Sequence, residues 1–111
     1  MSLNLSRALG DVLMKRPRPV ISSDPDIHVK EIRSPFTLVI ASDGVFSRLS
    51  SKDVGRFLKL KRAKTGANCK KLAKLLVDHA YDKGSWDNIS AIVVRVMMNK
   101  TEWGGAETKI M

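Results

Sequence analysis

The sequence predicts an α+β fold in which antiparallel strands are flanked by two helices. Two long runs of β-branched and apolar residues, at 36–42 and 88–97, are typical of strands. Between these runs, two segments repeat their apolar residues at the spacing of amphipathic helices. At 111 residues, the chain has room for one small domain. The predicted order is strand, strand, helix, helix, strand.

The amino-terminal third contains little regular structure in this prediction. Residues 3–16 indicate a short extended piece, a turn at Gly10 and Asp11, and one helical turn. The prolines and serines of 17–25 predict a loop. Apolar and polar residues alternate at 26–32, which predicts a half-buried strand. The run at 36–42 is almost continuously apolar, so this strand should be covered on both faces.

The first helix has clear start and stop signals. Ser50 or Ser51 is a suitable N-cap, and Asp53 lies close to the positive end of the helix dipole. The helix should run to about Lys61, and the break follows at 65–66.

The second helix is predicted over 67–83, with Gly84 at the position of a C-terminal cap. Its apolar residues form one stripe that should be buried, comprising Cys69, Leu72, Ala73, Leu76 and Ala80. After the strand at 88–97, residues 99–111 show no pattern and are expected to form a flexible tail.

Composition narrows the classes of function. The net charge is +9, but the basic residues are scattered apart from one run at 59–64, and aromatic residues make up only 5%. A base-stacking surface is therefore not indicated, and we expect no nucleic-acid partner. No apolar run approaches the length of about 18 residues that a membrane helix needs, so we expect no membrane partner. A single cysteine indicates a reducing, intracellular compartment, the cytoplasm or the nucleus.

Two aspartates occupy matching positions next to the long strands. Asp43 follows the strand at 36–42, and Asp87 stands just before the strand at 88–97. If these strands are antiparallel neighbours, both carboxylates reach the same edge of the sheet, where they suit a hard cation such as Mg²⁺ or Mn²⁺. Gly44 lets the backbone turn tightly there, and Asn88 can orient Asp87 or cap a turn. Asp-Gly and Asp-Asn are also common turn dipeptides, so a purely structural role stays open.

Three motifs together resemble one protein family. The stretches LNLSRALGD at 3–11, IASDGVF at 40–46 and GSWDNIS at 84–90 are similar, in order and spacing, to motifs of the metal-dependent protein phosphatases of the protein phosphatase 2C type. This resemblance implies that residues 1–98 are the carboxyl-terminal part of a catalytic domain and 99–111 a tail. The expected fold is a partial α/β-β/α sandwich.

The resemblance also implies a chemistry. Family members remove phosphate from phosphoserine and phosphothreonine proteins with two Mg²⁺ or Mn²⁺ ions, and a water that bridges the ions attacks phosphorus. Asp43 and Asp87 would then be ligands of the same ion. Asp11 would support the site as a turn carboxylate held by Arg7. Gly44 and Asn88 would support the site as well. No residue of this chain is assigned as a catalytic group.

Several family features are absent from this sequence. It contains no Asp-Gly-His-Gly motif, so the ligands that complete the two-ion centre are missing, and the chain alone is expected to be inactive. His28 and His79 are expected to be exposed surface residues. Phe46 and Ser47 replace the Trp and Asp of the usual motif, so a third ion site stays open. Trp86 is expected to anchor its turn by packing.

An alternative function is open at this stage. A phosphatase-like protein that lacks catalytic ligands could serve as a non-catalytic binding or regulatory module. In the enzyme interpretation, the missing amino-terminal half of the domain is a required partner. The strand at 36–42 would then have one uncovered face in this chain, which predicts a marginally stable or sticky protein.

Overall fold

The computed structural model describes residues 5–100 and 106–110, with side chains as far as 97. The chain divides into an amino-terminal unit, Met1–Glu31, and a main unit, Ile32–Met111. The elements in chain order are a 3₁₀ helix at Val12–Met14, β1 at Phe36–Ala41, α1 at Asp43–Phe46, α2 at Ser51–Thr65, α3 at Cys69–Asp82, β2 at Ala91–Lys100 and β3 at Ala106–Ile110. The fold is therefore α+β, as predicted.

The strands of the main unit form one antiparallel sheet in the order β1-β2-β3. Phe36 lies opposite Val96, and Ala41 lies opposite Ala91. The antiparallel pairing of the two long predicted strands is thus confirmed.

The carboxyl-terminal segment differs from the expected patternless tail. Its residues 106–110 form β3, which pairs with the end of β2 from Val96 to Lys100. The pairing satisfies backbone N–H and C=O groups along the otherwise open edge of β2. Residues 101–105 and 111 lie outside the described part of the chain.

The core lies between the helices and one face of the sheet. Leu76 and Ala80 of α3 are fully buried, and α3 packs on β2 while α2 packs on α3. The buried cluster comprises Val45, Leu49, Val54, Leu58, Leu72, Leu76, Ala80 and Val93. The predicted stripe of α3 is confirmed, with Cys69 and Ala73 half-buried at its edge. Full burial of each large aliphatic side chain contributes about 1.5–3 kcal/mol.

Both long helices begin at side-chain caps. The Ser50 hydroxyl accepts the Asp53 N–H while the Asp53 carboxylate accepts the Ser50 N–H, which is a reciprocal capping box. α2 runs beyond the predicted Lys61 to Thr65 and ends at Gly66, whose φ of 59° suits glycine. In α3, the Asn68 side chain accepts the Lys71 N–H at 2.9 Å.

The strand predicted at 26–32 is wrong. These residues have no regular structure, and Ile27 and Val29 are 79% and 94% exposed. A strand needs a hydrogen-bonded neighbour and an apolar surface to cover, and no described segment pairs with this one.

The prediction that β1 is covered on both faces is also wrong for this chain. Val39 and Ala41 pack against the helical core, but Leu38 and Ile40 on the opposite face are 44% and 55% exposed. Ile92, opposite Ile40 in β2, is 58% exposed. The main unit thus has the uncovered apolar face that the sequence predicted for an incomplete sandwich.

The amino-terminal unit contains the predicted turn. Gly10 and Asp11 have φ angles of 77° and 48°, and the 3₁₀ helix follows. An isolated parallel bridge joins Arg7 to Ser22, and Ile21 beside it is buried. No helix in either described range is long and apolar enough to cross a membrane.

Candidate metal site

Antiparallel pairing brings the two predicted aspartates to one edge of the sheet. The last residue of β1, Ala41, is opposite the first residue of β2, Ala91. Asp43 lies just beyond that end of β1, and Asp87 lies just before that start of β2. Asp43, at the start of α1, and Asp87, in the loop before β2, therefore lie at the same edge of the sheet.

Ser42 joins the start of α1 directly to the loop before β2. Its backbone N–H donates to the Ser90 carbonyl at 3.0 Å. Its hydroxyl accepts the Ser90 N–H at 3.1 Å and donates to the Asn88 carbonyl at 3.2 Å. Sequence reasoning missed Ser42, and the available signal was a serine directly before Asp-Gly.

Ser85, in the loop before β2, makes a second link to α1. It is buried, and its hydroxyl donates to the Gly44 carbonyl at 2.6 Å. A buried hydroxyl without such an acceptor would be costly, so this bond fixes the loop before β2 against α1. Sequence reasoning missed Ser85 as well, although it belongs to the GSWDNIS motif.

Gly44 is required by a close approach of two backbones. A Cβ at this position would lie 2.3 Å from the Asn88 carbonyl oxygen and 3.0 Å from its carbon. Because consecutive Cα atoms are 3.8 Å apart, this contact limits the Cα separation of Asp43 and Asp87 to at most about 14 Å. Glycine is thus needed here for the approach of Asn88 and not for a left-handed turn, since Gly44 lies within α1 and its φ is not positive.

The carboxylates of Asp43 and Asp87 are both exposed. Oδ1 of Asp87 accepts the backbone N–H of Asn88 at 2.7 Å. The main chain of Asn88 thus orients Asp87, whereas the predicted role of the Asn88 side chain stays a prediction. Within the described ranges, no hydrogen bond or ion pair engages the Asp43 carboxylate.

The chemistry of these donors suits a hard cation. Mg²⁺ is commonly held by one or two carboxylates and keeps several waters. The described part of the chain contains no group of three or more His, Cys, Asp or Glu side chains that could hold a metal ion. This edge therefore supplies two oxygen donors and is open to solvent for others.

The predicted supporting residues Asp11 and Arg7 both lie in the amino-terminal unit. The expected Arg7–Asp11 contact is wrong, because the Arg7 guanidinium pairs with Asp26 at 2.5 Å. Asp11 instead precedes the 3₁₀ helix in a left-handed conformation, without a side-chain cap bond.

Two expectations about ring side chains are also wrong. His28 is exposed as expected, but His79 is half-buried and stacks on Phe57 with ring centroids 4.2 Å apart. Trp86 does not pack into its turn and is 94% exposed. The neighbouring Ser85 takes the inward position, which leaves the indole of Trp86 directed outward.

Comparison with known proteins agrees with the three motifs. The family model described as Protein phosphatase 2C matches residues 1–89. Among curated relatives, Probable protein phosphatase 2C 11 of Arabidopsis thaliana is 37% identical over 94 residues, which cover 84% of this chain and 23% of the relative. Probable protein phosphatase 2C 59 of the same plant is 36% identical over 95 residues, covering 84% and 28% respectively.

A rice relative extends this agreement. Probable protein phosphatase 2C member 13, mitochondrial, of Oryza sativa subsp. japonica is 34% identical over 101 residues, covering 90% of this chain and 26% of the relative. The chain thus spans about a quarter of the length of these curated relatives. No solved structure was found to match it. From the family match over most of its length, the chain belongs to the protein phosphatase 2C family.

Proposed function

We propose that this chain supplies part of the metal centre of a Mg²⁺- or Mn²⁺-dependent protein serine/threonine phosphatase. One observation carries the proposal. The pairing of β1 with β2 brings Asp43 and Asp87 to one sheet edge, where Gly44 fits directly against Asn88. Family membership supports phosphate-ester hydrolysis as the reaction class.

Each residue at the edge has a distinct task in this proposal. Asp43 and Asp87 would hold one cation through their carboxylate oxygens. Ser42 and Ser85 fix the two loops that present them, and the Asn88 N–H orients the Asp87 carboxylate. When bound, a divalent cation neutralises charge on phosphate oxygens and lowers the pKa of a water.

The proposal requires further ligands from outside the described residues. The Asp-Gly-His-Gly motif is absent from the sequence, so we place the remaining ligands on an amino-terminal half of the domain. That half would also cover the exposed face of Leu38, Ile40 and Ile92. Phosphoserine and phosphothreonine proteins are the proposed substrates, and the single cysteine supports a reducing compartment.

Metal binding by this chain is the direct test. We expect Mn²⁺, followed by electron paramagnetic resonance, to bind the wild-type chain, and Asp43→Asn or Asp87→Asn to weaken binding by about tenfold or more. The matched control is Asp78→Asn, which removes an exposed helical carboxylate paired with Lys74. Unchanged Mn²⁺ affinity in both site variants would contradict a shared cation site.

Activity needs a second experiment, because the site is incomplete. We expect no turnover of a phosphate ester by this chain with Mn²⁺. Joined behind the segment of an Arabidopsis relative that precedes the matched region, it should hydrolyse a phosphoserine peptide, and Asp43→Asn should abolish this. Metal-dependent turnover by the chain alone would refute the incomplete site. A folded, Mn²⁺-binding chimera without turnover would favour the non-catalytic binding module.

A further inference from the structure

A cleft lies between the helices and the sheet, away from the candidate metal site. It consists of two adjoining hollows of about 660 and 610 Å³, and both are lined by Thr37, Arg62, Leu72 and Arg95. Thr37 is paired with Arg95 in the sheet, whereas the metal-site edge begins beyond Ala41. Val39 and Val93 are the lining residues nearest to that edge in the sheet, and none of the residues 42–44 and 85–90 lines the cleft, so the cleft and the site are distinct. We call this region the arginine cleft.

The arginine cleft contains positive charge and no negative charge. Four cationic side chains line it, and no aspartate or glutamate does; they are Lys59, Arg62, Lys70 and Arg95. Arg62 and Arg95 are half-buried, and no carboxylate of the described residues pairs with either. Partial burial of two like charges without a counter-charge is unfavourable, and an anion between them removes the penalty.

The floor of the cleft is apolar. Leu58 and Leu72 are 5% and 3% exposed, and Val39 of β1 lies beside them. A site with an apolar floor and a few charged groups along its lining, in this range of volume, is typical for small organic ligands. A simple inorganic ion would leave most of the hollow unfilled.

We propose that the arginine cleft binds a small organic phosphate monoester, with its phosphate at Arg62 and Arg95 and its apolar body on Leu58 and Leu72. A phosphate monoester carries nearly two negative charges at neutral pH, which two guanidinium groups can match. Guanidinium groups also bind phosphate oxygens in pairs of hydrogen bonds. The first turn of α3 lines the cleft too, but Asn68 already caps its Lys71 N–H, so the arginines carry the proposal.

Cys69 provides a reporter for binding. It lines the cleft, is half-buried and is the only cysteine of the sequence. With EDTA present to exclude metal binding, phenyl phosphate should slow the reaction of the Cys69 thiol with a maleimide, with half-protection at about 1 mM or below. Inorganic phosphate should protect less, because it lacks the apolar body, and phenol should not protect.

Variants assign the effect to the arginines. Arg62→Gln and Arg95→Gln should each raise the half-protecting concentration of phenyl phosphate by about tenfold. Arg56→Gln is the matched control, since Arg56 is exposed on the same helix and does not line the cleft. If a glutamine variant fails to fold, Arg62→Lys and Arg95→Lys can replace it. These variants keep the positive charge and should retain part of the protection.

Three results would overturn the proposal. In the thiol-protection assay, these are the absence of protection by phenyl phosphate, equal protection by phenol, and full protection in the folded Arg62→Gln, Arg95→Gln double variant.

Amide chemical shifts in nuclear magnetic resonance spectra provide a second readout. Shifts on adding phenyl phosphate should centre on Thr37 and Arg95, and shifts confined to the exposed face of Leu38 and Ile40 would also overturn it. Because EDTA is present throughout, these outcomes are independent of the proposed phosphatase function.

Discussion

Replacement of Gly44 by alanine is the sharpest test of the sheet-edge geometry. A Cβ at this position would lie 2.3 Å from the carbonyl oxygen of Asn88, and real Cβ atoms essentially never approach other atoms below 3.0 Å. The two backbones must therefore separate by about 0.7 Å or more. The obstacle is main chain, so a change of side-chain rotamer cannot relieve it.

Two hydrogen bonds resist this separation. The Ser85 hydroxyl holds the Gly44 carbonyl at 2.6 Å, and the Ser42 hydroxyl holds the Asn88 carbonyl at 3.2 Å. Overpacking of a tight contact costs about 1–3 kcal/mol, and a weakened buried hydrogen bond adds about 1 kcal/mol. We therefore expect Gly44→Ala to lower the free energy of unfolding by about 2–4 kcal/mol. The melting temperature should fall by about 10–20 °C for a domain of this size.

Circular dichroism during thermal unfolding measures this change, and the chain contains a matched control. Gly55 lies inside α2, and a Cβ built there meets no atom within 4 Å. Gly55→Ala should raise stability by about 0.5–1 kcal/mol, because alanine favours a helix more than glycine does. The same chemical change should thus have opposite signs at the two positions. A Gly44→Ala protein that melts like the wild type would refute the close approach and, with it, the positioning of Asp43 near Asp87.

Three further changes test local parts of the structure. Ser85→Ala should lower the free energy of unfolding by about 1–2 kcal/mol in urea titrations, since it removes a buried hydrogen bond. As a control, Ser47→Ala at an exposed position should change this free energy by less than about 0.5 kcal/mol. Ser50→Ala should cost about 1 kcal/mol by removing the N-cap of α2, and retained stability would exclude the capping box. Hydrogen bonds from the Ser50 hydroxyl and N–H hold the pKa of Asp53 below its usual value of 3.8. The stability that results is present above pH 3.8, and it is lost as the pH falls through the lower pKa of the folded state. Asp53→Asn should flatten the stability profile in that acid window, and an unchanged profile would contradict this assignment.

Elements with local signals could be predicted from the sequence. The spacing of Leu72, Leu76 and Ala80 identifies the buried face of α3 without knowledge of its neighbours. Ser50 and Gly66 mark the ends of α2 by the preferences of caps for serine and glycine. Such signals depend on residues close in the chain.

Elements that depend on pairing or packing with another segment could not be predicted in the same way. The alternation at 26–32 permits a strand, but no described segment pairs with it. The segment 106–110 carries no pattern that predicts a strand, and it becomes β3 because it pairs with the free edge of β2. Trp86 has the apolar character of a buried residue, yet Ser85 takes the inward position because it can donate to the Gly44 carbonyl.

The same distinction separates the residues of the candidate site that could be predicted from those that could not. Asp43 and Asp87 could be placed at one edge because antiparallel strands bring the end of one to the start of the other. The serines that fix this edge could not be identified, since serine is common in turns for several reasons. Arg62 and Arg95 belong to different elements, and only the folded structure shows that they line one cleft.

The bonds at the candidate metal-site edge indicate what the proposed amino-terminal half of the domain would have to provide. Ser42 bonds to Asn88 and Ser85 bonds to Gly44 across more than forty positions of sequence, yet both bonds lie within the main unit. This unit therefore sets the positions of Asp43 and Asp87 by itself, and the proposed amino-terminal half would add ligands and cover a face. Under the proposed function, we therefore expect Mn²⁺ binding and turnover to be separable. The isolated chain should bind the ion at Asp43 and Asp87 without hydrolysis, and failure of both binding and chimera activity would mean that the edge serves only as a turn.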